Sequence, residues 1–157
     1  MGLYTHYPDL PDLPQNLVNQ ITEENVRTTI NTFNHPDGEN YEIPWYSLHQ
    51  PSSAIIDYLS PHFANNMRIK MQLITRELLI HKDKGRAASF DYIIKSGGEN
   101  VSTVWFDDDK NEIERVVLPE KQWYFLDLSK FHNIYDITET RIAITIFEST
   151  ETELVEL

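Results

Sequence analysis

The sequence predicts a mainly β fold, a jelly roll or β-sandwich with N-terminal helices packed on one sheet. Two observations predict it. The N-terminal third carries apolar residues at helical spacing. From residue 67 the chain changes to short runs rich in Ile, Val, Tyr, Phe and Trp, separated by turn-forming clusters. The 157 residues contain no linker-like stretch, and that length suits one ordinary domain. The expected organisation is one domain over 1–157, with an arm and helices over 1–66, a β core over 67–148 and an acidic tail over 149–157.

The first segment, Pro8-Asp9-Leu10-Pro11-Asp12-Leu13-Pro14, reads as an extended arm with Leu10 and Leu13 packed on the domain. Leu17, Ile21, Val26 and Ile30 suit helical structure over 15–33, with a cap at Thr22 before Glu24. Residues 34–40 form a polar turn, and 41–48 look extended, with Pro44 confining them to an edge or a bend. A second helix fits 52–63. Ser52 or Ser53 would cap it, and Ile55, Ile56, Leu59 and Phe63 form its apolar stripe. Strand-like runs follow at 67–80, 87–94, 101–106, 113–118, 122–128 and 140–148. Turns are expected at Lys84-Gly85 and Ser96-Gly97-Gly98, and a hairpin tip over 107–111. The tail from Glu148 is expected to fray.

Composition removes several chemistries. There is no cysteine, so disulfides, thiolate zinc sites, iron–sulfur clusters and cysteine nucleophiles are excluded. Any metal must be held by His, Asp or Glu. The formal net charge is −12 and no Lys/Arg run is present, so nucleic acid is not an expected partner. No apolar run approaches the roughly 20 residues of a membrane span, and the N-terminus lacks a basic segment followed by an apolar one. A soluble, cytoplasmic protein without a membrane partner is expected.

The informative residues are His81-Lys82-Asp83, His132 and Arg141. His81 and Asp83 are alternate residues of an extended segment, so both side chains can meet one ion. Two imidazoles and a carboxylate can occupy one face of an octahedral metal and leave the opposite positions open. Arg141 offers a planar, permanently charged fork for a carboxylate. In its strand Arg141, Ala143 and Thr145 share one face, and Ile142, Ile144 and Ile146 the other. If the isoleucines pack under the helices, Arg141 points into the barrel. Trp105 and Trp123 read as core, and packing is the simpler role for Pro44-Trp45-Tyr46. His6, His35, His49 and His62 show no ligand spacing. The Asp107–Asp109 run lacks the spacing of a calcium loop, and neither a phosphate loop nor a nucleophile elbow is present.

On His81-x-Asp83, His132 and Arg141, with the strand Arg141-Ile-Ala-Ile-Thr-Ile-Phe, the chain over 68–148 resembles the Fe(II)/2-oxoglutarate-dependent oxygenases. That resemblance implies a double-stranded β-helix, a jelly-roll, cupin-like core. The segment from His81 to Ile94 looks most like the small aspartyl/asparaginyl β-hydroxylase-like proteins of bacteria and phages. The opening Tyr7-Pro8-Asp9-Leu10-Pro11 is similar to phage members, which would place the protein in a host cytoplasm. The resemblance implies iron on His81, Asp83 and His132, chelated by the C1 carboxylate and keto oxygen of 2-oxoglutarate. Arg141 would take the C5 carboxylate and dioxygen the remaining position. The implied reaction hydroxylates an amino-acid side chain, free or in a peptide or protein. Many relatives place a Ser two residues after this arginine; here it is Ala143. Thr145, Ser89 or Tyr92 would have to replace it. Arg86 would reach a substrate carboxylate or the co-substrate, or stay at the surface. Two alternatives stand beside this reading: a cupin-like metal enzyme that leaves Arg141 idle, and a non-catalytic binding domain of the same fold.

Overall fold

The computed structural model describes residues 2–27, 46–84, 86–148 and 154–156. The arm forms β1 (Tyr4–His6), and two short helices follow, α1 (Gln15–Val18) and α2 (Glu23–Arg27). After β2 (Tyr46–His49), α3 (Ser53–Leu59) runs into a 3₁₀ turn at Ser60–His62. The core strands are β3 (Met67–Ile74), β4 (Lys82–Lys84), β5 (Ala88–Lys95), β6 (Ser102–Phe106), β7 (Glu112–Val116), β8 (Trp123–Asp127), β9 (Phe131–Tyr135) and β10 (Arg141–Glu148). The last described element is β11 (Leu154–Glu156).

Strand order reveals the architecture. One sheet has the order β1-β8-β5-β10-β3-β2 and a second the order β7-β6-β9. His81, just before β4, bridges His132 of β9 through reciprocal backbone bonds of 3.1 and 2.9 Å. That bridge sets β4 beside β9. The order β3-β10-β5-β8 therefore faces β4-β9-β6-β7. From β3 to β6 each connection changes sheet, β6 and β7 form a hairpin, and the chain winds back the same way to β10. This is a double-stranded β-helix, the jelly roll expected, with helices on one sheet.

The strands sort their side chains by parity. Ile142, Ile144 and Ile146 of β10, Met71 and Leu73 of β3, and Tyr92 and Ile94 of β5 join Leu17, Ile21, Val26, Ile55 and Leu59 in the core under the helices. Each fully buried isoleucine contributes roughly 1.5–3 kcal/mol. The opposite parity faces the barrel interior, where Ile93, Trp105, Leu126 and Ala143 pack together. Trp105 and Trp123 are both core, as expected, and each satisfies its indole N–H on a backbone carbonyl. Trp105 donates to Asp127 at 2.7 Å and Trp123 to Pro11 at 2.8 Å. The second of these bonds pins the arm, together with Leu13 N–H donating to the Tyr92 hydroxyl.

Local expectations held unevenly. Ser52 caps α3, accepting from Ile55 N, and Asp107 accepts from the N–H groups of Asp109 and Asn111 to close the β6–β7 hairpin. The segment over 15–33 is not continuous in its described part. Thr22 accepts from Asn25 N and starts a second helix, since a side-chain cap satisfies donors that a continuous helix would use internally. Its remainder with Ile30, the turn over 34–40 with His35, and Pro44 and Trp45 lie outside the described residues. The run over 67–80 stops at Ile74, so Asp83 belongs to a new strand, β4, with His81 just before it, rather than to the end of β3. The tail is not frayed at Leu154–Glu156, which pair with β4.

Gly97 follows β5 with φ +90°, and a Cβ there would lie 3.0 Å from the Cβ of Arg141 and from the Glu139 carbonyl oxygen. Gly97→Ala should lower unfolding free energy by about 1–3 kcal/mol, measured by urea denaturation.

Candidate metal centre and its cavity

The bridge between His81 and His132 places their rings side by side, with centroids 4.4 Å apart. Asp83 lies two residues beyond His81, so its side chain returns to the same face. Its Oδ1 is 3.3 Å from His81 Nε2 and 3.7 Å from His132 Nε2. The three ligand atoms all lie within 4.8 Å of one another.

Hydrogen bonding behind the rings decides what they offer. Nδ1 of His81 is 2.7 Å from the Leu79 carbonyl oxygen, and Nδ1 of His132 is 2.8 Å from that of Lys130. A carbonyl can only accept, so each Nδ1 carries a proton, and in a neutral ring it is Nε2 that presents the lone pair. Burial, against the opposing charge of Asp83, pushes the His132 imidazole down to about 4, which keeps it neutral near pH 7. Asp83 Oδ2 accepts from Arg86 Nη2 at 2.7 Å and Nε at 2.9 Å. Burial, the largest single effect, would raise the Asp83 carboxyl; the Arg86 guanidinium together with the His81 and His132 imidazoles outweighs it and holds the group well below the usual carboxylate range. Asp83 Oδ1 is buried and accepts no hydrogen bond from the described residues. Two lone pairs and one unsatisfied carboxylate oxygen thus converge on a point with no donor. A divalent cation resolves that arrangement, and two imidazoles with one carboxylate suit Fe(II), Mn(II) and their neighbours.

The three ligands share a narrow cavity of about 40 Å³ with Tyr46, Gln72, Ser89, Asp91, Thr145 and Arg141. Arg141 opens β10 and points inward, on the parity opposite the isoleucines. It is buried; its Nη1 donates to the Ser96 carbonyl at 2.9 Å, and its Nε has no partner among the described residues. Burial pushes its guanidinium down to about 10, so it remains a cation at neutral pH.

Four other residues singled out in the sequence fall differently. Ser89 and Thr145 line the cavity, yet the Ser89 hydroxyl donates to Asp91 Oδ1 at 2.8 Å, and Thr145 stands opposite Asp91 in the β5–β10 register. Tyr92 does not belong to the cavity. Its parity turns it under the helices, its ring centroid 4.9 Å from that of Trp123. Arg86 is not a surface residue; it lines the same cavity. It is buried against the Phe147 ring, 4.6 Å from its centroid, and holds Asp83 in place. Outside the cavity, His49 pairs with Ser47 at 2.6 Å on the helix-facing side of β2, and His6 stacks on Tyr124.

Sequence reasoning missed Asp91. The signal was available: Asp91 alternates with Ser89, on the parity opposite Phe90 and Tyr92.

No protein-family model matches the chain, and no curated protein matches it. Among solved structures it is similar to procruciferin, an 11S globulin from Brassica napus, at 9% identity and a TM-score of 0.47 over 73% of this chain and 28% of that one. The coconut allergen cocosin gives 13% identity and a TM-score of 0.47 over 73% and 29%. A variant of oxalate decarboxylase from B. subtilis gives 8% identity and a TM-score of 0.48 over 80% and 29%. The chain spans less than a third of the length of each. Likenesses this distant carry no argument about chemistry; the strand order itself shows the fold. Among the described residues, no helix is long and apolar enough to cross a membrane.

Arg86→Ala leaves Asp83 buried without its counter-charge. It should weaken Mn(II) binding about 10–100-fold, read by titration of the free Mn(II) resonance signal, while His81→Ala should remove measurable binding.

Proposed function

We propose that the protein is an Fe(II)- and 2-oxoglutarate-dependent dioxygenase that hydroxylates an amino-acid side chain, free or within a peptide or protein. The observation that carries this reading is Arg141. A cation buried in the same cavity as three convergent metal ligands, with its Nε unpartnered, is costly unless an anion completes it. A dicarboxylate that also chelates the metal does so. Bound iron with its 2-oxo acid would supply the activation of dioxygen that hydroxylation needs.

The chain's own residues have separable tasks in this proposal. His81, Asp83 and His132 hold the metal on one face and leave the other open. Leu79 and Lys130, through their carbonyls, fix the imidazole tautomers. Arg86 fixes the carboxylate so that Oδ1, not Oδ2, meets the metal. Arg141 sets the depth and direction of the co-substrate.

The cavity between the metal ligands and Arg141 is narrow, about 40 Å³. The same narrowness favours a second reading, a cupin-like metal enzyme that takes only a smaller ligand and leaves Arg141 idle. Calorimetry on the Mn(II)-loaded protein separates them. The wild type should bind 2-oxoglutarate, and Arg141→Ala, with metal binding intact, should lose about 100-fold or more in affinity. Absence of binding by the wild type, or equal binding by Arg141→Ala, would leave the second reading standing.

A further inference from the structure

β3 outruns one of its neighbours. β10 pairs with it along its whole length, down to Met67. β2 pairs with it only from Ile74 to Met71, because the chain leaves the sheet after His49 to enter α3. Among the described residues, no strand pairs with that side of Met67–Lys70. Such an edge presents backbone donors and acceptors that another extended chain can pair with.

A cleft of about 410 Å³ lies along this edge. Met67, Arg68, Ile69 and Lys70 all line it, with Ile56 of α3 and Phe63 just past the 3₁₀ turn. Successive side chains of a strand point to opposite faces. A cleft touched by four residues in a row therefore follows the edge of the strand and not one face. Met67 also lines a second cleft, of about 590 Å³, which reaches Asp83 and Arg86. Those two line the metal cavity as well. Three spaces thus run in series from the β3 edge to the metal ligands, joined by shared residues. The clefts differ in charge. Arg68 and Lys70 make the first cationic. In the second Asp83 and Arg86 neutralise one another, while Glu148 is exposed and forms no ion pair with a described residue.

We propose that the β3 edge from Met67 to Lys70 docks an extended peptide by strand addition, and that the peptide continues past Met67 into the second cleft toward the metal ligands. Main-chain hydrogen bonds supply the affinity, and the two clefts read side chains. An acidic side chain lies by Arg68 and Lys70, and a basic one by Glu148. The edge spans roughly 10 Å, which suits three or four extended residues. Docking is independent of the diacid; that the docked segment is also what is hydroxylated rests on the reading above.

The probes are synthetic seven-residue peptides with lysine at one end and glutamate at the other, in both orders, and a library of Val, Thr and Ser between. They are selected on the full chain. Bound peptides should shift the amide resonances of residues 67–70 in the metal-free protein. With Mn(II) loaded, the lysine end should relax faster than the glutamate end. N-methylation of alternate peptide amides, in one of its two phases, should weaken binding about tenfold or more. Glu148→Gln should weaken it about threefold, and should leave peptides with norleucine in place of lysine unchanged. A library without a binder, shifts confined to other surfaces, or equal affinity of both N-methylated phases would overturn strand addition at this edge. Equal relaxation along the bound peptide would overturn the path to the metal. Docking by a wild type that binds no 2-oxoglutarate would instead bring down the proposed function and leave the docking site standing.

Discussion

The reciprocal backbone bonds between His81 and His132 are the contact on which the remainder of the site depends. They join β4 to β9, which sets β4 and its partner β11 beside the β9-β6-β7 strands, and they set two imidazoles side by side. A ladder bridge is an economical way to position two ligands. Backbone geometry fixes the separation, and each ring then needs only one further hydrogen bond to set its rotation. The carbonyls of Leu79 and Lys130 supply those bonds, so the ligand geometry is built mostly from main chain.

A second constraint is the alternation of faces in β5 and β10, paired at the middle of the large sheet. One parity carries Tyr92, Ile94 and the three isoleucines into the core beneath the helices. The other carries Ser89, Asp91, Arg141 and Thr145 into the barrel. The same strands therefore supply both the adhesion of the helical layer and the polar lining of the cavity. A one-residue slip of β10 would exchange them, burying arginine under the helices and isoleucine in the cavity. Register is strongly specified for that reason.

The barrel tolerates an unusual concentration of charge. Asp83 and Arg86 compensate one another through a two-point contact, which is the geometry that lets a buried pair survive desolvation. Among the described residues Arg141 has no such partner and Asp91 none either, although each influences the other electrostatically. Isolated structural ion pairs do not look like this. The pattern fits a cavity whose polar groups are arranged for something other than stability.

Much of this was legible in the residues. Parity placed Arg141 inside and the isoleucines outside, Ser52 marked a helix start, and Asp107–Asn111 marked a hairpin. Other features were not legible. β9 is short and carries His132 and Asn133 among its apolar residues, so its strand signal is weak; β1 and β11 have only three residues each. Tyr92 was singled out for its hydroxyl, yet its parity turns it under the helices and turns its neighbour Asp91 to the cavity. By itself the sequence determined the jelly-roll class, the absence of thiol chemistry and which side chains share a face, since strand parity and composition are local properties. Only the tertiary structure decided that His81 pairs with His132, that Arg86 serves Asp83, and that Ser89 and Thr145 stand at Asp91. Those contacts depend on which strands lie together and how neighbouring buried groups divide the available hydrogen bonds, and neither is a property of any single segment.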